Sequence, residues 1–276
     1  MTDLLNNPAV QAGVVPFVVG TLIGAPLART RYLAVAVLAG LAALLALTIG
    51  FSMEPFTSVK KLLVITLVAA LLSLGWETAQ RSLSPRAVGV FSLAVALAGV
   101  WMIQRVLVQQ EARQAWVMGG ATAAYLLVLM AGSLATTARD SLHAPLVGVA
   151  LGWGSGALAV LGASGLLGQI GIALGTACAA VVLVQMVRGR VAPGAGTWGL
   201  PAAAGAGLVG VLACVTAELS WQFLLPLLLV PIAPALFPAS SRPLWLVAIG
   251  KGVAALVPAA LAVAWAYLSG GTVSPS

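Results

Sequence analysis

Long, continuous runs of apolar residues separated by short polar connections dominate this chain. An α-helix needs about 20 apolar residues to cross a bilayer. Ten runs approach that length, at 8–28, 32–51, 62–77, 87–108, 115–138, 144–163, 166–187, 199–218, 221–238 and 244–268. Because the apolar residues are consecutive rather than alternating, the pattern predicts helices and not strands. We therefore expect an all-α, polytopic integral membrane helical bundle of about ten transmembrane helices, with no room for a soluble domain.

Two runs carry residues that disfavour a regular helix. The sixth contains Gly152, Gly154 and Gly156 around a tryptophan and a serine, and each glycine costs about 1 kcal/mol relative to alanine in a helix. Such glycines indicate either very close helix packing or a locally unwound segment that lines a cavity. The ninth run is expected to be irregular because each of its four prolines removes a backbone hydrogen bond. These are Pro226, Pro231, Pro234 and Pro238.

The third and eighth runs each end on a glutamate, Glu77 and Glu218, in a chain with only six acidic residues. An offset of 141 aligns Leu67, Val68, Leu71 and Glu77 with Leu208, Val209, Leu212 and Glu218. The alignment suggests two five-helix membrane repeats, 1–143 and 144–276. An odd number of spans would invert the second repeat, as in many secondary transporters. The alternative is that apolar segments resemble one another simply because all are apolar.

A few polar side chains within the runs are the candidate ion or substrate pathway. Glu77 and Glu218 could carry protons or cations, because low dielectric favours a protonated carboxyl, or could be ordinary carboxylates in the headgroup region. Lys251, about seven residues into its run, either lines a cavity or extends to the interface. Gln169 either bonds between helices or faces a polar cavity. Gly152, Gly154 and Gly156 complete the candidate pathway.

Two boundary regions have a mixed pattern. We place Lys60 and Lys61 in the polar loop before the third span. After the fourth span, the stretch 104–114 reads as interfacial: Met102, Ile103, Val106 and Leu107 can face lipid while the polar residues face water.

Composition agrees with a membrane location. The chain is 61% hydrophobic and 7% charged, whereas soluble domains carry about a quarter charged residues. Its net charge of +7 is spread over short connections, which argues against a nucleic-acid partner. The positive-inside rule favours a multi-pass protein with the N-terminus outside. Eight basic residues then face the cytoplasm, Arg29, Arg31, Arg81, Arg86, Arg139, Arg188, Arg190 and Arg242, against Lys60, Lys61, Arg105 and Arg113 on the opposite side. The excess of arginine over lysine favours a bacterial source and hence a bacterial inner (cytoplasmic) membrane.

The sequence carries little catalytic chemistry. His143 is the only histidine, so a multi-histidine metal site is excluded, and a helix-entry turn is its expected place. Cys178 and Cys214 fall inside apolar runs and read as buried thiols. Nucleotide-binding, hydrolase and metalloprotease motifs are absent from the sequence. We expect no enzyme activity, no cofactor and no metal.

The function expected from these features is a secondary transporter or translocase for a small or lipid-linked solute, with proton coupling as one option. The alternative is a non-catalytic membrane subunit within a larger membrane protein complex. The expected partners are the lipid bilayer, a small solute or proton, and a second copy of the chain or other membrane subunits.

Overall fold

The computed structural model describes residues 7–48, 57–79, 83–137, 142–192, 199–217, 219–237 and 243–270. Within these ranges the chain forms nine α-helices, a short 3₁₀ helix at Arg31–Leu33 and a longer 3₁₀ segment. The first helix begins with a π-helical turn at Val10–Val14. The helices are α1 (Val10–Leu27), α2 (Ala34–Thr48), α3 (Ser58–Thr78), α4 (Pro85–Leu107), α5 (Ala112–Thr137), α6 (His143–Leu161), α7 (Gly165–Arg188), α8 (Gly199–Thr216) and α9 (Leu244–Leu268). The 3₁₀ segment is the stretch Trp221–Leu236 between α8 and α9, in which two 3₁₀ helices, Trp221–Leu229 and Ala233–Leu236, are joined by a turn at 230–232.

The sequence pattern explains why the elements begin and end where they do. The Thr57 side chain accepts a hydrogen bond from the Lys60 backbone N–H at the start of α3, and Ser84 accepts one from Ala87 at the start of α4. Pro85 follows Ser84 in the first turn, where its missing N–H costs nothing. Gly189 ends α7 in the left-handed conformation, with φ of 62°, which glycine adopts without strain. These polar and glycine residues therefore mark the ends of the apolar helices.

Eight of the described helices are long and apolar enough to cross a membrane. The shorter α2 and the 3₁₀ segment fill the other two predicted spans. Large apolar side chains such as Leu71, Val257 and Leu261 point outward along these helices and are more than half exposed. Water cannot solvate a continuous apolar surface of this kind cheaply, whereas lipid tails can. The protein is therefore a polytopic helical membrane bundle.

Successive helices alternate in direction. In α6 and α7, Gly148 faces Cys178 and Gly156 faces Ile172, so these neighbours are antiparallel. The helices α6 and α9 are parallel, because the start of one packs on the start of the other and Gly154 faces Ala259 further along. Equivalent contacts order the remaining helices in the same way. The helix ends that the odd-numbered connections join consequently lie on one side of the bundle, which we call the arginine side after Arg29, Arg86, Arg188 and Arg190.

The centre of the bundle is α8, which packs against α3, α4, α5, α6 and α7. Every residue from Gly199 to Cys214 is buried. One apolar core extends from Leu33 to Ala266 and contains residues from both halves of the chain. The proposed division into 1–143 and 144–276 stays a prediction.

The residues aligned by the 141 offset lie in different surroundings. Leu67, Val68 and Leu71 are exposed on the outer face of α3, whereas their counterparts in α8 are buried. The helices themselves are neighbours, in contact at Thr66 and Gly205, and the alternation of directions makes them antiparallel. The internal repeat also stays a prediction.

Candidate functional site

Glu77 lies in the last turn of α3 and is only 2% exposed. Its neighbour Trp76 packs edge-to-face on Phe91 of α4, with 5.3 Å between ring centroids, and this contact fixes the end of α3 against α4. The sequence left open whether Glu77 is solvated in the headgroup region or enclosed by protein. In the structure, the Glu77 side chain is enclosed by protein. Glu218, its proposed counterpart, lies outside the described residues.

Lys251 is enclosed as well. The helix α9 begins at Leu244, as the sequence predicts, and Lys251 is 4% exposed within it. Its flanking glycines allow close approach of neighbouring elements: Gly250 lies against the Phe237 ring and Gly252 lies against Leu146 of α6. Lys251 thus lies inside the protein and does not extend to the membrane surface.

His143 is the first residue of α6 and is 2% exposed. Its Nε2 atom lies 2.7 Å from the carbonyl oxygen of Pro231 in the 3₁₀ segment. A carbonyl oxygen only accepts, so Nε2 must carry the proton and donate. The bond connects residues that are 88 positions apart in the sequence.

The hydrogen bond from His143 replaces a backbone hydrogen bond that a proline prevents. In a 3₁₀ helix each carbonyl accepts from the N–H three residues later, and the bonds from Ile232 to Leu229 and from Ala235 to Ile232 follow this rule. The corresponding donor for the Pro231 carbonyl would be residue 234, which is a proline and has no N–H. His143 supplies the missing donor. The sequence predicted the irregular segment and the helix-entry position of His143, but not the bond between them.

Four buried side chains with an ionisable or amide group occupy the same side of the bundle. Glu77 lies at the end of α3, His143 at the start of α6, Gln185 in the last turn of α7, and Lys251 two turns into α9. All are within about two helical turns of the arginine side. We call these four residues the polar layer. The two amide atoms of Gln185 have no hydrogen-bond partner although the side chain is fully buried.

The glycines of α6 have a packing role. This helix is continuous from His143 to Leu161, so the locally unwound alternative is wrong for the sixth span. A Cβ at Gly152 would collide with the Gly175 backbone, and one at Gly156 would lie 2.7 Å from the Ile172 nitrogen. Gly154 points to the other face, where Ala259 and Leu227 would be 3.0 Å away. These glycines face helices of the same chain rather than a polar cavity or an external partner.

The other polar residues of the spans mostly bond locally. Gln169 is half-buried on α7. Trp153 donates its ring N–H to the Thr176 hydroxyl across the α6–α7 contact, at 3.2 Å, and Ser155 bonds to the Gly152 carbonyl within its own helix. Gln169 lies next to the tight α6–α7 contact and outside the polar layer.

Sequence reasoning misplaced Lys61. The helix α3 begins at Ser58 rather than at 62, so Lys61 lies within it and is 6% exposed. Its Nζ atom donates to the Trp101 carbonyl at 3.1 Å and lies 4.5 Å from the centroid of the Trp101 ring. The positive charge thereby sits near the carboxyl end of α4, where the helix dipole favours it. Met102 and Ile103, expected to face lipid, are completely buried because this end of α4 packs inward on α3 and α5.

Among the residues that the structure describes, no group of three or more histidine, cysteine or acidic side chains could hold a metal ion. Both cysteines are free and buried.

Comparison with known proteins does not add a functional assignment. No protein-family model, no curated protein and no solved structure matches this chain.

Proposed function

We propose that the protein is a secondary transporter or translocase for a small or lipid-linked solute, with its ionisable residues concentrated toward the arginine side. The observation that carries this proposal is the polar layer. Glu77, His143 and Lys251 are each at most 4% exposed in a chain with 7% charged residues. Ionisable groups inside a membrane protein are costly, and their usual roles are in ion, proton or substrate pathways.

The 3₁₀ segment is the moving part in this proposal. Its prolines interrupt the hydrogen-bond ladder, and it packs against α5, α6 and α9 rather than forming a full membrane helix. Interrupted helices beside a buried site are common in secondary transporters, where unpaired backbone groups lie at the site. The His143–Pro231 bond joins this segment to the polar layer, so a change in the layer can be transmitted to the segment.

The first test is uptake into liposomes that contain the purified protein. A panel of radiolabelled amino acids, sugars, nucleosides and carboxylates is screened with and without an inward proton gradient. We expect Glu77→Gln and Lys251→Met to abolish uptake of the solute that the unchanged protein transports, with expression retained. Glu111→Gln is the matched control, because Glu111 is exposed. Unchanged solute uptake in both variants would show that Glu77 and Lys251 take no part in transport.

The proposed role of Glu218 has the same test. Glu218→Gln is expected to abolish uptake if the two glutamates act as a pair, and normal uptake by that variant would limit the role to Glu77.

A second function, a non-catalytic subunit of a membrane complex, is favoured by an outward-facing groove between α4 and α5. Ala115, Gly119 and Ala123 line this groove at four-residue spacing, beside Trp116. Small residues at that spacing let a partner helix approach closely. Native mass spectrometry of protein extracted gently from its membrane separates the two functions. A monomer or homodimer supports the transporter, and a stoichiometric foreign subunit supports the accessory role.

A further inference from the structure

Three basic residues lie together where α3 begins and α4 ends, on the side of the bundle opposite the arginine side. Lys61 donates from Nζ to the Trp101 carbonyl at 3.1 Å. In an α-helix that carbonyl also accepts the backbone N–H of Arg105, so Lys61 and Arg105 meet at the same group. Lys60, which precedes Lys61, is half-buried, and Arg105 is exposed. We call Lys60, Lys61 and Arg105 the basic cluster.

The basic cluster carries more positive charge than its surroundings offset. The Trp101 ring lies 4.5 Å from Lys61 Nζ, and the carboxyl end of α4 is equivalent to about half a negative charge. Within the described residues, none of the three cations is paired with an acidic side chain. The next acidic residue along the described chain, Glu111, is exposed on the connection after α4, and Glu54 lies outside the described residues. The surplus charge is therefore available to an anion.

Beyond the cluster, the face of α3 that carries Lys61 is apolar and open to lipid. Val68 and Leu72 share the helix face of Lys61 and are 47% and 48% exposed. Trp101 covers this face at Lys61, whereas one turn further along α4 Leu97 points outward. Leu72 is about 16 Å from Lys61 along the helix axis, and the hydrocarbon layer of one leaflet is about 15 Å thick. The basic cluster thus borders an apolar face about one leaflet deep.

This order of chemistry, positive charge above an apolar face, matches a phospholipid. An arginine guanidinium group suits phosphate because it can donate two parallel hydrogen bonds. A partly exposed tryptophan such as Trp101 is typical of the headgroup level. A zwitterionic lipid brings its own cation and would leave the surplus charge in place, so an anionic lipid fits better.

We propose that the basic cluster binds the phosphate of an anionic phospholipid whose acyl chain lies along Val68 and Leu72. Arg105 contacts the phosphate, with Lys60 beside it. Lys61 offsets the negative end of the α4 dipole, which leaves the Arg105 charge available to the lipid. The site lies on the opposite side of the bundle from the polar layer and does not depend on transport.

Native mass spectrometry of the purified protein in detergent tests the site. The probes are dioleoyl phosphatidylglycerol and dioleoyl phosphatidylcholine, which have the same acyl chains and differ in headgroup charge. We expect the unchanged protein to bind phosphatidylglycerol at least about fivefold more tightly. Arg105→Gln should lower this preference about fivefold, the effect expected of one basic residue at an anionic lipid. Lys60→Gln should lower it in the same direction, which keeps the test decisive if the Arg105 variant is unstable.

Arg113→Gln is the matched control. Arg113 is also exposed and lies on the same side of the bundle, but at the start of α5 and outside the basic cluster. Its substitution should leave the preference for phosphatidylglycerol unchanged. Equal losses in the Arg105 and Arg113 variants would show a general attraction to the positive surface and overturn the proposal, as would equal binding of the two lipids to the unchanged protein.

Glycerol 3-phosphate, which has the phosphate but no acyl chain, separates a lipid from a soluble anion. Phosphatidylglycerol that stays bound in its excess supports the lipid site, and complete displacement would assign the cluster to a soluble phosphate compound instead. A polypeptide that copurifies with the unchanged protein and is lost from Arg105→Gln would assign the face to a partner helix and also overturn the proposal. Lipid binding is measured without solute flux, so its failure is distinguishable from a failure of the uptake experiment.

Discussion

At the scale of single residues, Pro234 explains the structural role of the single histidine, because the proline nitrogen carries no hydrogen to donate. The Pro231 carbonyl is left without a backbone donor by Pro234, and the His143 ring supplies one at 2.7 Å. Inside a membrane protein no bulk water can replace that donor. The histidine thus has a structural reason to be buried, in addition to its place in the polar layer.

We expect His143→Ala to lower the free energy of unfolding by about 1–3 kcal/mol, because it leaves a buried carbonyl unpaired. The measurement is thermal unfolding of the purified protein in detergent. Pro234→Ala restores a backbone N–H at the position where a 3₁₀ helix would use it.

The double variant His143→Ala/Pro234→Ala should therefore lose less stability, relative to Pro234→Ala alone, than His143→Ala loses relative to the unchanged protein. Strictly additive effects of the two substitutions would show that the histidine and the proline are not coupled in this way.

At the scale of elements, the glycines of α6 and α7 set the distance between the two most closely packed helices. Gly152 and Gly156 on α6 meet Gly171 and Gly175 on α7 backbone to backbone. Close packing of this type stabilises helix pairs in membranes, where the hydrophobic effect does not drive association.

Gly152→Ala should destabilise the protein by about 1–3 kcal/mol, since the added methyl group overpacks the contact. Gly120→Ala is the control, because a Cβ at Gly120 meets nothing within 4 Å and alanine favours the helix by about 1 kcal/mol. The readout is the thermal unfolding midpoint of each variant in the same detergent. A Gly152 variant as stable as the Gly120 variant would mean that the helices can separate without penalty.

At the scale of the whole molecule, the alternating helix directions place the beginning of α1 and the end of α9 on the same side of the membrane. The arginine side is the opposite one, and the positive-inside rule predicts that it faces the cytoplasm. The polar layer would then lie closer to the cytoplasm than to the outside.

Cysteine labelling tests this orientation in a background with Cys178 and Cys214 replaced by alanine. We expect Arg190→Cys, on the arginine side, to react with a membrane-impermeant maleimide only after the cells are permeabilised. Gln109→Cys, on the other side and also exposed, should react in intact cells. The reverse result would place the N-terminus inside.

The length and continuity of the apolar runs predicted most of the fold but only part of the candidate site. Each predicted span corresponds to a helix or to the 3₁₀ segment, with the largest shift at α3, which starts four residues earlier than predicted. The predicted run excluded Lys61 because two consecutive lysines, Lys60 and Lys61, precede the apolar residues. The expectation that Met102 and Ile103 face lipid was wrong, because an apolar side chain suits lipid and the protein interior equally well.

The sequence by itself determined that the chain is a polytopic helical membrane protein, because its apolar runs have the length and continuity that lipid requires. It also predicted that the ninth run is irregular, since its four prolines cannot donate backbone hydrogen bonds. Only the tertiary structure decided that the α6 glycines are packing contacts and that Glu77 and Lys251 are enclosed. Those properties depend on which helix faces are adjacent. In an almost uniformly apolar chain, the shapes of the packed side chains determine which faces meet, because the hydrophobic pattern is nearly the same on every face.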